Sequence, residues 1–228
     1  MMRNTLKAGF TLIELLVTLI LLGLLTAVVF PVIVQQIDDA EPTKAANDFA
    51  NIKTGIEVFH LNLRPTWPGD LEDLVHQVDA AFDNDVNANN FSNPNKWNGP
   101  YVDAAVALGT VAGTGAQEAG PAVTTGFGMT ILNQLVCYDA TANTFQPANG
   151  SQTCTAGTDF VALLVDGSFA TAATTDIPSE FTAIDALVDN ETDGWNAGKV
   201  RMAKATGAMF DATGAPSYIV YLVAPYTS

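Results

Sequence analysis

The chain is poor in positive charge. Nine Lys and Arg stand against 24 Asp and Glu, for a formal net charge of −15. Such a surface repels nucleic-acid backbones and favours solubility, so direct nucleic-acid binding by this subunit alone is not expected. Catalytic equipment is sparse too. There are two histidines, His60 and His76, and neither has a nucleophile or metal ligand at useful spacing. No phosphate-binding loop, dinucleotide glycine pattern or nucleophile elbow occurs. Neighbouring acids such as Asp38 and Asp39 point different ways on a helix. These absences argue against an enzyme. There are two cysteines, Cys137 and Cys154, without Cys-x-x-Cys spacing, which argues against a zinc site.

What the chain does have is one long apolar run near its start. Residues 15–34 are twenty positions without a charge, long enough to cross a bilayer as a helix. Glu14 stands at the head of that run. A carboxylate inside hydrocarbon costs roughly 3 kcal/mol on insertion scales, so it requires a partner or a purpose. An ordinary secretory signal would have a shorter apolar core and a small-residue cut site after it. A plain anchor would account for the length but not for Glu14.

The passage Lys7-Ala8-Gly9-Phe10-Thr11-Leu12-Ile13-Glu14-Leu15-Leu16, behind a short basic leader, closely resembles the class III signal of type IV pilins and type II secretion pseudopilins. The resemblance covers about the first 35 residues. It implies that a prepilin peptidase cuts after Gly9 and methylates the new amino terminus at Phe10. Cleavage would place a cation at Phe10, four residues before Glu14, and methylation would leave the amine charged. A neighbouring copy shifted along a fibre could set its Glu14 against that cation. Removing residues 1–9 also takes away Arg3 and Lys7 and no acid, so the mature chain is more negative still.

Orientation follows from the same charges. Arg3 and Lys7 precede the apolar run, and Asp38, Asp39 and Glu41 follow it. The positive side stays cytoplasmic. The resemblance thus implies a single-pass protein of the bacterial inner membrane before assembly, and a periplasmic or extracellular filament afterwards. About 190 residues follow the run, enough for one globular domain with a core. In an oxidising compartment Cys137 and Cys154 are expected to be bonded, for roughly 3 kcal/mol in the chain-entropy treatment.

Periodicity predicts that the helix continues past the membrane. Phe49, Ile52, Ile56, Phe59 and Leu63 recur at spacings of three and four, an apolar stripe on one helix face. If continuous, the helix would be about 80 Å long. Pro31 predicts a kink or loosened turn, and Pro42 a further bend or break. The chain divides into a leader (1–9), a transmembrane assembly helix (10–34), an amphipathic stem helix (35–63) and an α+β head (64–228). Residues 64–69 read as a stiff loop that ends the helix. Asp70 is a candidate cap for a short helix through residue 78. Residues 83–95 read as a polar loop and 109–128 as a flexible Gly, Ala and Thr-rich excursion. Strands are predicted at 130–138, 160–165 and 218–223, with Asp166-Gly167 as a turn, and a helix at 180–188. One long helix followed by an antiparallel sheet matches the pilin fold.

Two passages resemble the major pseudopilin group. Trp97-Asn98-Gly99-Pro100-Tyr101-Val102 is similar to its Trp-x-Gly-Pro-Tyr-Leu passage. Asp211, Gly214, Pro216 and Tyr218 fall loosely like a later stretch of that group, without its tryptophan and with longer spacing. No cofactor is required. Calcium is the candidate ligand for Asp189, Glu191 and Asp193, which alternate like the first half of an EF-hand loop. The bidentate glutamate of that loop is replaced by Val200, and a solvated acidic loop is the preferred reading. Asp83, Asp85, Asn87 and Asn89 alternate in the same way. The sequons at Asn149 and Asn190 read as turns.

The sequence therefore predicts a structural subunit of a type IV pilus-like or type II secretion pseudopilus filament. Implied partners are other copies and related pilins or pseudopilins, the prepilin peptidase, an inner-membrane assembly platform and membrane lipid. The alternative is a minor or tip pilin whose head acts as an adhesin or ligand-binding module.

Overall fold

The computed structural model describes residues 10–75, 96–103, 121–145, 154–167, 169, 177–190, 195, 197–204, 209–210 and 216–226. Two compact units are present, Met1–Ala40 and Glu41–Ser228. The described part of the first is helix alone. Helix α1 spans Leu12–Leu63, and its Leu12–Pro31 stretch is long and apolar enough to cross a membrane, with none of it buried within the protein. Thr18 and Thr26 lie in that stretch, and their hydroxyls donate to the helix's own carbonyls, Thr18 to Leu15 at 2.8 Å and Thr26 to Gly23 at 3.0 Å. That satisfies polar groups where lipid offers no partner.

Neither Pro31 nor Pro42 interrupts α1, so of the bend or break expected at Pro42 the break is absent. A helix tolerates a proline by giving up one hydrogen bond and absorbing the ring's clash with a carbonyl, at about 3 kcal/mol. Pro42 is buried in the second unit, where packing offsets that cost.

The second unit is a helix laid on a sheet. From Ala45 to Leu63 the predicted stripe is buried throughout, with Phe49, Ile56 and Phe59 fully enclosed. It packs on a six-stranded antiparallel sheet. The strands are β1 (Pro121–Thr124), β2 (Thr130–Asp139), β3 (Thr144–Phe145), β4 (Asp159–Asp166), β5 (Val200–Ala203) and β6 (Tyr218–Pro225), and α2 spans Ser179–Val188. The order is β1-β2-β4-β6-β5, with β3 pairing β2 at its far end. Alternation with period two sorts the strands between faces. Val161, Leu163 and Val165 of β4 and Ile219, Tyr221 and Val223 of β6 meet α1. Ala162, Leu164, Val220 and Leu222 point the other way and form a second apolar layer with Tyr138 and Phe145. Both faces are covered, which is why these strands are near-continuous apolar runs. Phe49 of α1 meets Tyr221 with ring centroids 5.2 Å apart.

Three predicted strands and the second helix are present, each one or two residues longer than its predicted span. β1, β3 and β5 were not foreseen. Residues 121–128, read as part of a flexible excursion, instead form β1 and a tight turn on α1, while 109–120 lie outside the described residues. The helix expected after Asp70 is a single 3-10 turn, Glu72–Leu74. Asp70 still serves it, since Asp70 Oδ1 accepts from the Asp73 N–H at 3.1 Å. Residues 76–78, with His76, and the 83–95 loop lie outside the described residues.

Candidate assembly site

The amino-terminal site is built by the first turn of α1. Thr11 stands just before the helix, and its carbonyl accepts from the Glu14 N–H at 3.1 Å and the Leu15 N–H at 3.3 Å. Its hydroxyl oxygen also lies 3.4 Å from the Glu14 N–H. Thr11 followed three residues later by Glu14 is the sequence pattern of a capping box, and the Thr11 half of it is formed here. Negative charge is favoured there by the partial positive charge of the helix amino terminus. Phe10 is 76% exposed and Leu12 84%. Glu14 is exposed as well. Gly9, the expected cleavage residue, lies outside the described residues, so only Phe10 on its carboxyl side has a structural context.

An apolar surface continues from this end. Leu12, Leu15, Leu16, Leu19 and Ile20 line one shallow groove along the helix. Such leucine-rich faces are covered either by lipid or by other apolar helices, because water is the one environment that disfavours them.

In the second unit, the passage resembling that of major pseudopilins forms a clip on α1. Trp97 Nε1 donates to the Asp73 carbonyl at 2.8 Å. The Asn98 N–H donates to the Tyr101 hydroxyl at 2.9 Å. Tyr101 meets Phe59 edge-on at 5.5 Å between centroids and Trp97 at 5.6 Å. The clip needs Gly55 beneath it, since a Cβ at that helix position would lie 2.4 Å from Val102 Cγ1 and 3.1 Å from the Tyr101 carbonyl oxygen. Of the looser carboxyl-terminal match, Pro216 and Tyr218 lead into β6, and Asp211 and Gly214 lie outside the described residues.

Cys137 and Cys154 are bonded, with Cα atoms 5.4 Å apart. The bridge ties β2 to the turn before β4, and Tyr226 packs against it. That turn also holds the end of β6: the Tyr226 N–H donates to the Asp159 carbonyl at 2.8 Å, and the Gly157 N–H to the Tyr226 carbonyl at 3.2 Å. Nearby, His60 stacks on Trp67 at 3.8 Å and 10° between planes. Its Nδ1 lies 2.9 Å from the Thr66 carbonyl, to which it donates in the Nδ1–H tautomer. Burial holds its pKa below the usual histidine value, with Arg64 adding in the same direction and the Thr66 bond opposing.

Of the candidate calcium ligands, only Asp189 falls among the described residues. Asp189 Oδ2 accepts from the Lys199 N–H at 2.8 Å and the Val200 N–H at 2.9 Å, which clamps the end of α2 to the start of β5. Glu191 and Asp193 lie outside the described residues. Among the described residues no three His, Cys, Asp or Glu side chains are grouped to hold a metal.

Comparison with known proteins meets this geometry at the same end. The prokaryotic N-terminal methylation motif matches residues 4–30. The type II secretion system core protein G of Aeromonas hydrophila is 30% identical over 82 residues, which is 35% of this chain and 57% of that protein. Core protein G of Pseudomonas aeruginosa is 34% identical over 76 residues, 32% of this chain and 54% of its own length. The chain thus spans about half the length of these curated relatives. No solved structure matches it. The chain thus carries the prokaryotic N-terminal methylation motif at the head of an exposed apolar helix, and over about a third of its length it is similar to type II secretion system core protein G.

Proposed function

We propose that this chain is a structural subunit of a pseudopilus or a type IV pilus-like filament. It is held in the inner membrane by α1 with its basic leader in the cytoplasm, cut after Gly9, methylated at Phe10 and drawn into a fibre. The observation that carries this reading is the unburied Leu12–Pro31 helix opening on a single exposed acid, Glu14. Leaving lipid, its Leu, Ile and Val faces stay out of water only against other such helices, so cohesion comes from helix packing. Register comes from pairing Glu14 of one copy with the Phe10 amine of the next. The partners are then other copies and related pseudopilins, the peptidase that processes them and the inner-membrane assembly platform. In this scheme the chain is the peptidase's substrate.

The capping box supplies a clean test. Glutamine serves as well as glutamate at its third position, so Glu14→Gln keeps the helix start and removes only the charge. Membrane insertion and helix content should match the wild type, while sheared filament yield should fall about tenfold or more, in line with the loss of a desolvated ion pair. Wild-type filament yield from Glu14→Gln cells would defeat the register role.

A further inference from the structure

The turn between β1 and β2 grips α1 where proline should weaken it. Pro42 disfavours helical backbone at the residue before it, Glu41, because of the clash with the proline ring. Residues 124–129 fold over this spot. The Phe127 N–H donates to Glu41 Oε2. Lys44 Nζ donates to the Thr124 carbonyl at 3.0 Å, and the Thr125 hydroxyl donates to Asp48 Oδ2 at 2.8 Å. Glu41, Lys44 and Asp48 share one helix face, so three bonds bracket the proline. Gly126 lies so close that a Cβ there would sit 2.0 Å from the Glu41 carbonyl oxygen. The turn is itself braced by the Thr125 N–H donating to the Met129 carbonyl at 2.9 Å. It also holds Phe127 at φ 58°, a conformation that bulky side chains adopt only under constraint.

We propose that residues 124–129 are a splint for Pro42. With the turn seated, α1 runs on through the proline. With it lifted, the helix opens at residues 41–47, giving the subunit a hinge controlled by the head. This is a conformational device and does not depend on which filament the chain builds.

Hydrogen–deuterium exchange on the full chain in detergent micelles tests it. Gly126→Ala should speed exchange of the amides of residues 43–47 about tenfold, while β4 and β6 amides stay protected. In a Pro42→Ala background, where the helix needs no splint, the same substitution should change those amides less than about threefold. No acceleration in the Pro42 chain, or equal acceleration in both backgrounds, would overturn the proposal. If Gly126→Ala also strips protection from β4 and β6, Thr125→Val carries the comparison, because it removes one hydrogen bond without a steric conflict. Its failure to accelerate exchange selectively in the Pro42 chain would overturn the proposal equally.

Discussion

At the scale of single residues, the same side chain often has a local and a distant use. The Glu14 N–H is held by Thr11 at the start of α1, and its carboxylate is the charge proposed to set the register of assembly. Arg201 and Tyr138 show the same economy. The guanidinium lies 4.8 Å from the Tyr138 ring centroid and donates to its hydroxyl, which in turn lies 2.6 Å from Asn143 Oδ1. The two side chains reach across β4 and β6, where Ala162 leaves room. Tyr138→Phe removes the hydroxyl from a buried site and leaves the guanidinium one acceptor short. It should cost about 1–3 kcal/mol, measured as a lower urea midpoint with unchanged slope. His60 gives a pH dependence. Its folded pKa lies below the ordinary value of 6.5, so the unfolded chain takes up the proton first. The His60 contribution is therefore level above about pH 6.5 and falls as pH drops from there towards the folded pKa. Urea midpoints at pH 7.5 and 5.5 should differ less in His60→Asn than in the wild type.

At the scale of elements, legibility tracked the length of the apolar signal. The α1 stripe from Phe49 to Leu63 was readable because five large side chains repeat at helical spacing. β4 and β6 were readable because each holds an apolar run of six or more residues, and β2 because two shorter apolar runs flank Asn133 and Gln134. β3 is two residues long and β5 four, too short for periodicity to register. β1 begins at a proline amid glycines and small residues, and its pairing with β2 is a tertiary fact. The continuity of α1 through Pro42 was unreadable for a related reason. The contact between Glu41 and Phe127 joins residues 86 positions apart, and no local rule contains it. Gly55 was likewise silent in the sequence. Gly55→Val should drive the side chain into Val102 and the Tyr101 carbonyl and cost about 1–3 kcal/mol, seen as a lower Tm and weaker near-ultraviolet signal from Trp97.

At the scale of the molecule, the division into Met1–Ala40 and Glu41–Ser228 separates two kinds of cohesion. The second unit is held by its own core and by one disulfide. Replacing Cys137 and Cys154 by serine should cost about 3 kcal/mol and expose the end of β6 to carboxypeptidase, since the bridged turn also binds Tyr226. The described helix of the first unit has no core of its own, and in the proposed scheme lipid or other copies cover it. The amino-terminal methylation motif was legible because it is compact and local. The head's role was not, because its relatives share only about a third of this chain.

The central claim is that this chain is cut after Gly9 and polymerises through the helix so exposed. Intact-mass and amino-terminal analysis of protein recovered from purified filaments tests it most directly. Subunits that begin at Phe10 and carry one added methyl group on its amine are expected. Filament subunits that retain residues 1–9, or begin at any other residue, would contradict it.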